Sequence, residues 1–269
     1  MKRIDSFFYR EENFVYDGSY FHYLSAMKAF EDAKTDEEKM LAIEAMRMVA
    51  NGGYMRAQYH MAAVYGNGDG VPMDLEEAAK WCRLTAEQGH REAMFKLGDS
   101  YYYGDGVKQN PSEAIKWLKL AAKHRHPMAQ HYMGMMYYEG KILPRDYHKA
   151  ITYFSMAQKQ GVIDASLMLG VMYGEGWGAV KNKKEAFRYF MLAAMQDEPC
   201  AQFNVGLLYH YGQGVKQNYE EAARWYGKAI EHRWYEEIFK QGMEDAAFKL
   251  SLITPKLHKA TVPMRVNTI

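Results

Sequence analysis

Small, aromatic and apolar residues return along this chain at a fixed spacing of 36 positions. The first alanine of the pattern stands at Ala57, Ala93, Ala129, Ala165 and Ala201. A tyrosine follows eight positions later, at Tyr65, Tyr101, Tyr137, Tyr173 and Tyr209. A second alanine and an aromatic residue three positions after it occur as Ala78 and Trp81, Ala114 and Trp117, Ala150 and Tyr153, Ala186 and Tyr189, and Ala222 and Trp225. This period predicts a solenoid, in which each unit buries its apolar face against its neighbours.

Each unit has the pattern of two helices joined by a turn. Apolar residues between Ala93 and Tyr101 cluster on one side of a helix, and Gly104 and Gly106 then permit the positive φ that ends it. The second helix follows a column that is always Asp or Asn: Asp74, Asn110, Asp146, Asn182 and Asn218. Because Glu stands three residues later in four of the five units, the sequence predicts a capping box at this helix start.

A glycine column lies inside the first helices, at Gly98, Gly134, Gly170 and Gly206. Glycine within a helix costs about 0.5–1 kcal/mol relative to alanine. Because glycine recurs at the same helix position in each repeat, we predict that a neighbouring helix approaches closely there, beneath the aromatic column.

The frame extends backwards from the five clear units. Ala42 and Gly53 stand where the period places them, which predicts helices near Tyr20–Ala33 and over Thr35–Ala50. The expected division of the chain is a lead segment (1–20), a degenerate capping repeat (21–56), five repeats (57–236), a C-terminal capping helix (237–253) and a loosely ordered, mildly basic tail (254–269).

The stretch from Ala201 to Tyr226, AQFNVGLLYHYGQGVKQNYEEAARWY, resembles a Sel1-like repeat, a family related to the tetratricopeptide repeats. The resemblance covers five units over Ala57–Glu236 and implies an all-α fold, a right-handed α-α superhelix of 36-residue helix-turn-helix repeats. The third unit departs from the pattern, with Ile142 where its neighbours have the second glycine of the turn. The family includes regulators, envelope-assembly factors, secreted virulence factors and immunity-type partners of toxins. The resemblance therefore implies a protein-binding adaptor or regulator rather than an enzyme.

Composition narrows the classes of partner. Lys and Arg number 34 against 33 Asp and Glu, and this near balance argues against nucleic acid. The two cysteines, Cys82 and Cys200, are too few for a secreted disulfide framework. The first residues show no signal-peptide pattern, and no run reaches the roughly 18 apolar residues of a membrane helix. We expect a cytoplasmic protein without a cofactor and away from membranes; the sequence does not fix its oligomeric state.

Candidate binding residues lie in three columns of the first helix that vary from unit to unit. The spacing i, i+3, i+7 puts these columns on one helix face, and the resemblance implies that first helices line the concave side. The candidates are His60, Lys96, Asp99, Tyr103, Tyr132, Met135, Glu139, Met168, Val171, Glu175, Asn204, Leu207 and Tyr211. We expect a partner peptide or helix to bind in this groove.

The later units offer the more apolar part of the groove, flanked by Glu139 and Glu175. Methionine is common at adaptable binding surfaces, which favours these units as the place of contact. The residues expected to be exposed are Tyr132, Met135, Met168 and Tyr211. Those expected to pack between repeats are Met136, Met172 and Leu208.

Two other classes of function have candidate residues. His124, His126 and His131 form a histidine cluster, and imidazoles bind transition metals, so a small-ligand or metal-binding protein is an alternative. Packing or solvent exposure of these histidines is the interpretation that we favour. Cys200 opens a first helix, and helix N-termini lower the pKa of a thiol, which makes a hydrolase-like enzyme a further alternative. It is the least favoured one. Nothing in the repeat geometry places a base beside Cys200, and we expect no catalytic residue.

Overall fold

A computed structural model describes residues 18–231, and they form twelve α-helices without a strand. The prediction of an all-α chain of helix-turn-helix repeats is confirmed. The predicted C-terminal capping helix, the tail and most of the lead segment lie outside these residues.

The described residues fall into two compact units, which are divided between His124 and Arg125. The first contains α1 Ser19–Asp32, α2 Asp36–Asn51, α3 Met55–Asn67, α4 Leu75–Glu87, α5 Arg91–Tyr103 and α6 Pro111–Lys123. The second contains α7 Pro127–Glu139, α8 Tyr147–Gln158, α9 Ile163–Glu175, α10 Lys183–Ala194, α11 Pro199–Tyr211 and α12 Tyr219–Glu231. Within each unit the closely packed helix pairs are consecutive in the chain.

The Asp or Asn column caps the second helices, as its chemistry predicts. Asn110 Oδ1 accepts the backbone N–H groups of Ser112 and Glu113. The reciprocal half of the predicted box is absent in this repeat, because the Glu113 carboxylate accepts from the indole N–H of Trp117 at 3.0 Å instead. A complete box occurs at α2, between Thr35 and Glu38.

Turn glycines bring consecutive repeats into contact. A Cβ placed on Gly106 would lie 1.9 Å from the carbonyl oxygen of Leu75, at the start of α4. Gly214 stands in the same way over Lys183, at the start of α10, with 2.2 Å to its carbonyl oxygen. Only glycine allows a turn to lie so close to the second helix of the preceding repeat. Ile142 does not adopt the positive φ of these glycines, so the turn of its repeat differs.

The helical glycine column marks close helix contact, as predicted, but its partner is not the aromatic column. A Cβ on Gly134 would lie 2.7 Å from the Phe154 ring, and one on Gly206 would lie 2.6 Å from the Tyr226 ring. These rings lie one residue after the aromatic column, on the face of the second helix that packs against the first helix of the same repeat. The column thus makes room for a large side chain within each helix pair.

Buried glutamines join successive helices at the opposite end from the turns. Gln88 Nε2 donates to Gln58 Oε1 at 2.6 Å, and Gln58 Nε2 donates to the carbonyl oxygen of Ala50 at 3.1 Å. Gln160 and Gln130 repeat the side-chain bond at 2.7 Å in the second unit. Buried amides need such partners, and the sequence pattern did not indicate these pairs.

Candidate functional site

The varied columns of the first helices form a surface that we call the first-helix face, and each unit has its own part of it. In the first unit it consists of His60, Lys96, Asp99 and Tyr103; in the second it consists of Tyr132, Met135, Glu139, Met168, Val171, Glu175, Asn204, Leu207 and Tyr211.

The first-helix face of the first unit is polar, and part of it is engaged within the protein. His60 is half-buried, with its Nδ1 atom 2.8 Å from the Tyr23 hydroxyl and its ring stacked on the Tyr23 ring. Burial lowers the pKa of His60, while the nearby Glu31 carboxylate opposes this shift. Lys96 lies over the Tyr59 ring at 5.5 Å. His60 therefore packs against α1 rather than projecting freely.

The first-helix face of the second unit is apolar and mostly half-buried. Met135 and Met168 pack against the buried cluster that includes Phe154. Leu207 packs in the same way beside Tyr226. Tyr211 is 55% exposed, but Tyr132, Met135 and Met168 are only half-buried, so exposure was predicted correctly for Tyr211 and in part for the other three.

The inner column packs inside the repeats, as predicted. Met136, Met172 and Leu208 are all buried. Asn204, in the first-helix face, donates from Nδ2 to the carbonyl oxygen of Cys200, one turn earlier, at 2.7 Å. The accessible surface of the first helices is therefore formed by the varied columns of the first-helix face and not by the inner column.

The two glutamates that flank the face are paired with lysines of the following turns. Glu139 meets Lys141 at 3.0 Å, and Glu175 lies 3.5 Å from Lys183 and 3.9 Å from Lys181. These exposed pairs are individually weak, but they neutralise the acidic flank expected from the sequence.

The histidine cluster is occupied by structural roles. His126 is buried, and its Nδ1 atom accepts the backbone N–H of Ala129 at the start of α7. His131 packs against the Phe154 ring. Among residues 18–231, no group of three His, Cys, Asp or Glu side chains is placed to hold a metal ion. The metal-binding alternative therefore gains no support from the geometry.

We expect the substitution His131→Phe to reduce the loss of stability on acidification. Burial lowers the pKa of His131 below its ordinary value of 6.5, against a smaller opposing effect of Asp164. A lowered histidine pKa means that the unfolded chain takes up the proton first, so stability falls as the pH drops below about 6.5. Phenylalanine removes this contribution, and Phe203 holds the equivalent place beside Tyr226. Urea denaturation between pH 7.5 and pH 5 measures the change.

The control for this prediction is His148→Gln, since His148 is exposed on α8. It should leave the pH dependence as in the wild type. A His131→Phe profile parallel to that of the wild type would contradict the assignment of the pH effect to this side chain.

The cysteines give little support to a catalytic thiolate. Cys82 is buried, and this burial raises its pKa to about 11, with only partial opposition from Lys96. Its thiol is therefore protonated at neutral pH. Cys200 is half-buried at the second position of α11, as the sequence predicts for a residue that opens a first helix.

An aromatic cluster that the sequence analysis missed lies in the second unit. The Tyr147 and Trp177 rings stack with centroids 5.7 Å apart, and the Tyr138 ring lies 5.9 Å from each. One signal in the sequence could have revealed this cluster: Trp177 is aromatic at a position where the other repeats have polar residues, namely Asp69, Asp105, Lys141 and Gln213.

None of the described helices combines the length and the apolar character that crossing a membrane requires.

Known proteins resemble this chain in sequence and in fold. The Sel1 repeat profile matches residues 56–90, 91–126, 127–162, 163–198 and 201–237. A protective antigen with an SLR fold from uropathogenic Escherichia coli is 26% identical, with a TM-score of 0.75; the match covers 91% of this chain and 57% of the antigen. The chain thus spans little more than half the length of that relative. A Sel1 repeat protein from Oxalobacter formigenes is 27% identical, with a TM-score of 0.70 and coverage of 78% and 84%, respectively.

No curated protein matches the sequence. The five profile matches nevertheless cover more than half of the chain, and they coincide with the helix pairs from α3 to α12. On these grounds, the chain belongs to the Sel1 repeat family.

Proposed function

We propose that this protein is a cytoplasmic adaptor or regulator that binds a partner peptide or helix on the first-helix face of its second unit. Inhibitors and immunity-type proteins belong to this class of regulator. The family fold is typically one of protein–protein interaction, which supports the general class. The observation that carries the placement is the row of half-buried apolar side chains in columns that the fold leaves variable, such as Met135, Met168 and Leu207.

Half-burial suits such a face. Side chains that already rest on the core lose less conformational freedom on binding than fully extended ones. Their remaining apolar area contributes about 25 cal/mol per Å² when a partner covers it. Because Glu139 and Glu175 are paired with lysines, the central contact depends on apolar side chains rather than on the acidic flank. An amphipathic helix with apolar residues at i, i+3 and i+4 is the occupant that fits this chemistry.

We expect the double substitution Met135→Gln and Met168→Gln to weaken partner binding at least tenfold, equivalent to about 1.4 kcal/mol. Glutamine keeps the length of methionine but removes the apolar contact. The partner is identified by photo-crosslinking in cells through a benzophenone side chain at position 211, and its affinity is then measured with purified proteins by calorimetry.

The control variant is Met156→Gln, which makes the same change at a partly exposed methionine on α8 in the same unit. It should leave the affinity unchanged. Equal affinities of the wild type and the folded double variant, verified by circular dichroism, would contradict the placement of the partner on this face.

A further inference from the structure

We use the name turn patch for the aromatic cluster of the second unit, Tyr138, Tyr147 and Trp177, together with Val180, which lies three residues after Trp177 in the same turn. Trp177 is 37% exposed and Val180 is 88% exposed. Both lie in the turn between α9 and α10, and Trp177 stacks on Tyr147 at the start of α8. Large apolar side chains that remain open to solvent in this way often mark an interaction surface.

Packing of the repeats does not require this patch. Three 36-residue repeats earlier in the chain, Lys39 occupies the position of Tyr147 and Asp69 occupies that of Trp177. Lys39 and Asp69 form an ion pair at the equivalent contact in the first unit. A polar pair therefore suffices to join two repeats there, and the aromatic stack needs another reason. Val180 likewise stands where other turns have Pro72, Lys108, Pro144 and Lys216.

Cationic side chains border the turn patch. The Arg145 guanidinium lies 5.8 Å from the Tyr147 ring centre, and its Nη2 atom donates to the carbonyl oxygen of Glu139 at 3.0 Å. Lys141 forms an ion pair with Glu139, the residue that follows Tyr138 in the chain.

The turn that carries Trp177 adds further positive charge. Lys181 and Lys183 both approach the Glu175 carboxylate. The border thus has four cations, Lys141, Arg145, Lys181 and Lys183, against the two carboxylates of Glu139 and Glu175. The nearby Asp146 is paired with Lys149 at 2.9 Å. The border is therefore net positive.

We propose that the turn patch binds an acidic segment of a partner protein that carries a proline or aliphatic residue. The apolar residue would cover Trp177 and Val180, as apolar and proline side chains cover aromatic surfaces in peptide-binding domains. The carboxylates would meet Arg145 and the turn lysines in charge-assisted bonds. The four residues of the turn patch are not part of the first-helix face, although Glu139 and Glu175 border both surfaces. The proposal does not depend on the function proposed for that face.

The chemistry favours a peptide over a single-stranded nucleic acid. Bases bind by stacking on free aromatic faces. Here Tyr147 and Trp177 already stack on each other, and the exposed Val180 offers an aliphatic contact.

The test is selection of a random twelve-residue peptide display library on the full chain. Its reference is the variant Trp177→Asp with Val180→Lys, whose residues are those of equivalent turns at Asp69 and Lys108, so the fold should accept them. We expect the wild type to enrich peptides that combine Asp or Glu with proline or aliphatic residues. These peptides should bind the double variant at least tenfold more weakly, and the variant Arg145→Gln should also weaken their binding.

Three results would overturn the proposal: no enrichment, enrichment of basic or uncharged peptides, and equal binding to the wild type and the double variant. Binding of a uridine oligonucleotide that is lost with the double variant would assign the patch to nucleic acid instead. Peptides whose binding is weakened only by the double substitution Met135→Gln and Met168→Gln bind the first-helix face. The experiment therefore distinguishes failure at one site from failure at the other.

Discussion

Replacement of Phe154 by alanine is expected to lower the free energy of unfolding by about 3–5 kcal/mol. Phe154 has no exposed surface, and its ring lies over Gly134 in α7 and against the ring of His131. Truncation would leave a cavity in the middle of a helix pair, because the backbone of the glycine cannot fill the space. Urea denaturation followed by far-ultraviolet circular dichroism measures the loss.

The matched control for this change is Phe154→Leu. Leucine occupies the same column at Leu118, where it lies over Gly98, so the helix pair accepts a branched aliphatic side chain. A hydrophobic exchange of similar volume should cost less than about 1.5 kcal/mol. If alanine were as well tolerated as leucine, the close packing of Phe154 on Gly134 would be wrong.

The second large effect is expected at Gly170, where alanine should destabilise the protein by about 1–3 kcal/mol. A Cβ at this position would lie 2.6 Å from the Phe190 ring, far inside van der Waals contact. Phe190 is itself buried, so relief requires that α9 and α10 move apart. Thermal and urea denaturation of the variant would show the change.

The same helix provides the control, since Gly174→Ala places the new methyl group 3.5 Å from the Cβ of Ala186, an ordinary contact. Here the greater helix propensity of alanine should dominate and stabilise the protein by about 0.5–1 kcal/mol. Opposite signs for the two glycines of α9 are the signature of the packing described. Equal signs would contradict it.

Much of the fold could be predicted because each element is specified by nearby residues and then repeated. The capping Asn110, the turn Gly104 and the spacing of Ala93 and Tyr101 identify a helix pair from within one unit. Five copies of the pattern confirm one another. The same periodicity correctly separated the buried Met136 column from the outer face.

Features that depend on the neighbouring repeat were harder to predict. The column pattern does not show how deeply Met135 and Met168 sit, because their burial is set by the neighbouring cluster around Phe154. The glycine column was assigned to the wrong partner, since one residue along a helix turns a side chain by about 100°. The stack of Trp177 on Tyr147 joins positions 30 apart and belongs to no repeating column.

The packing of each helix mainly on its neighbours in the chain has a consequence for biosynthesis. A ribosome that adds about 5–20 residues per second completes a 36-residue unit in about 2–7 s. Helix formation and the docking of a short helix pair take microseconds to milliseconds. Within each unit, a repeat can therefore fold onto its finished predecessor before the next one emerges, and its apolar face is covered in the order of translation.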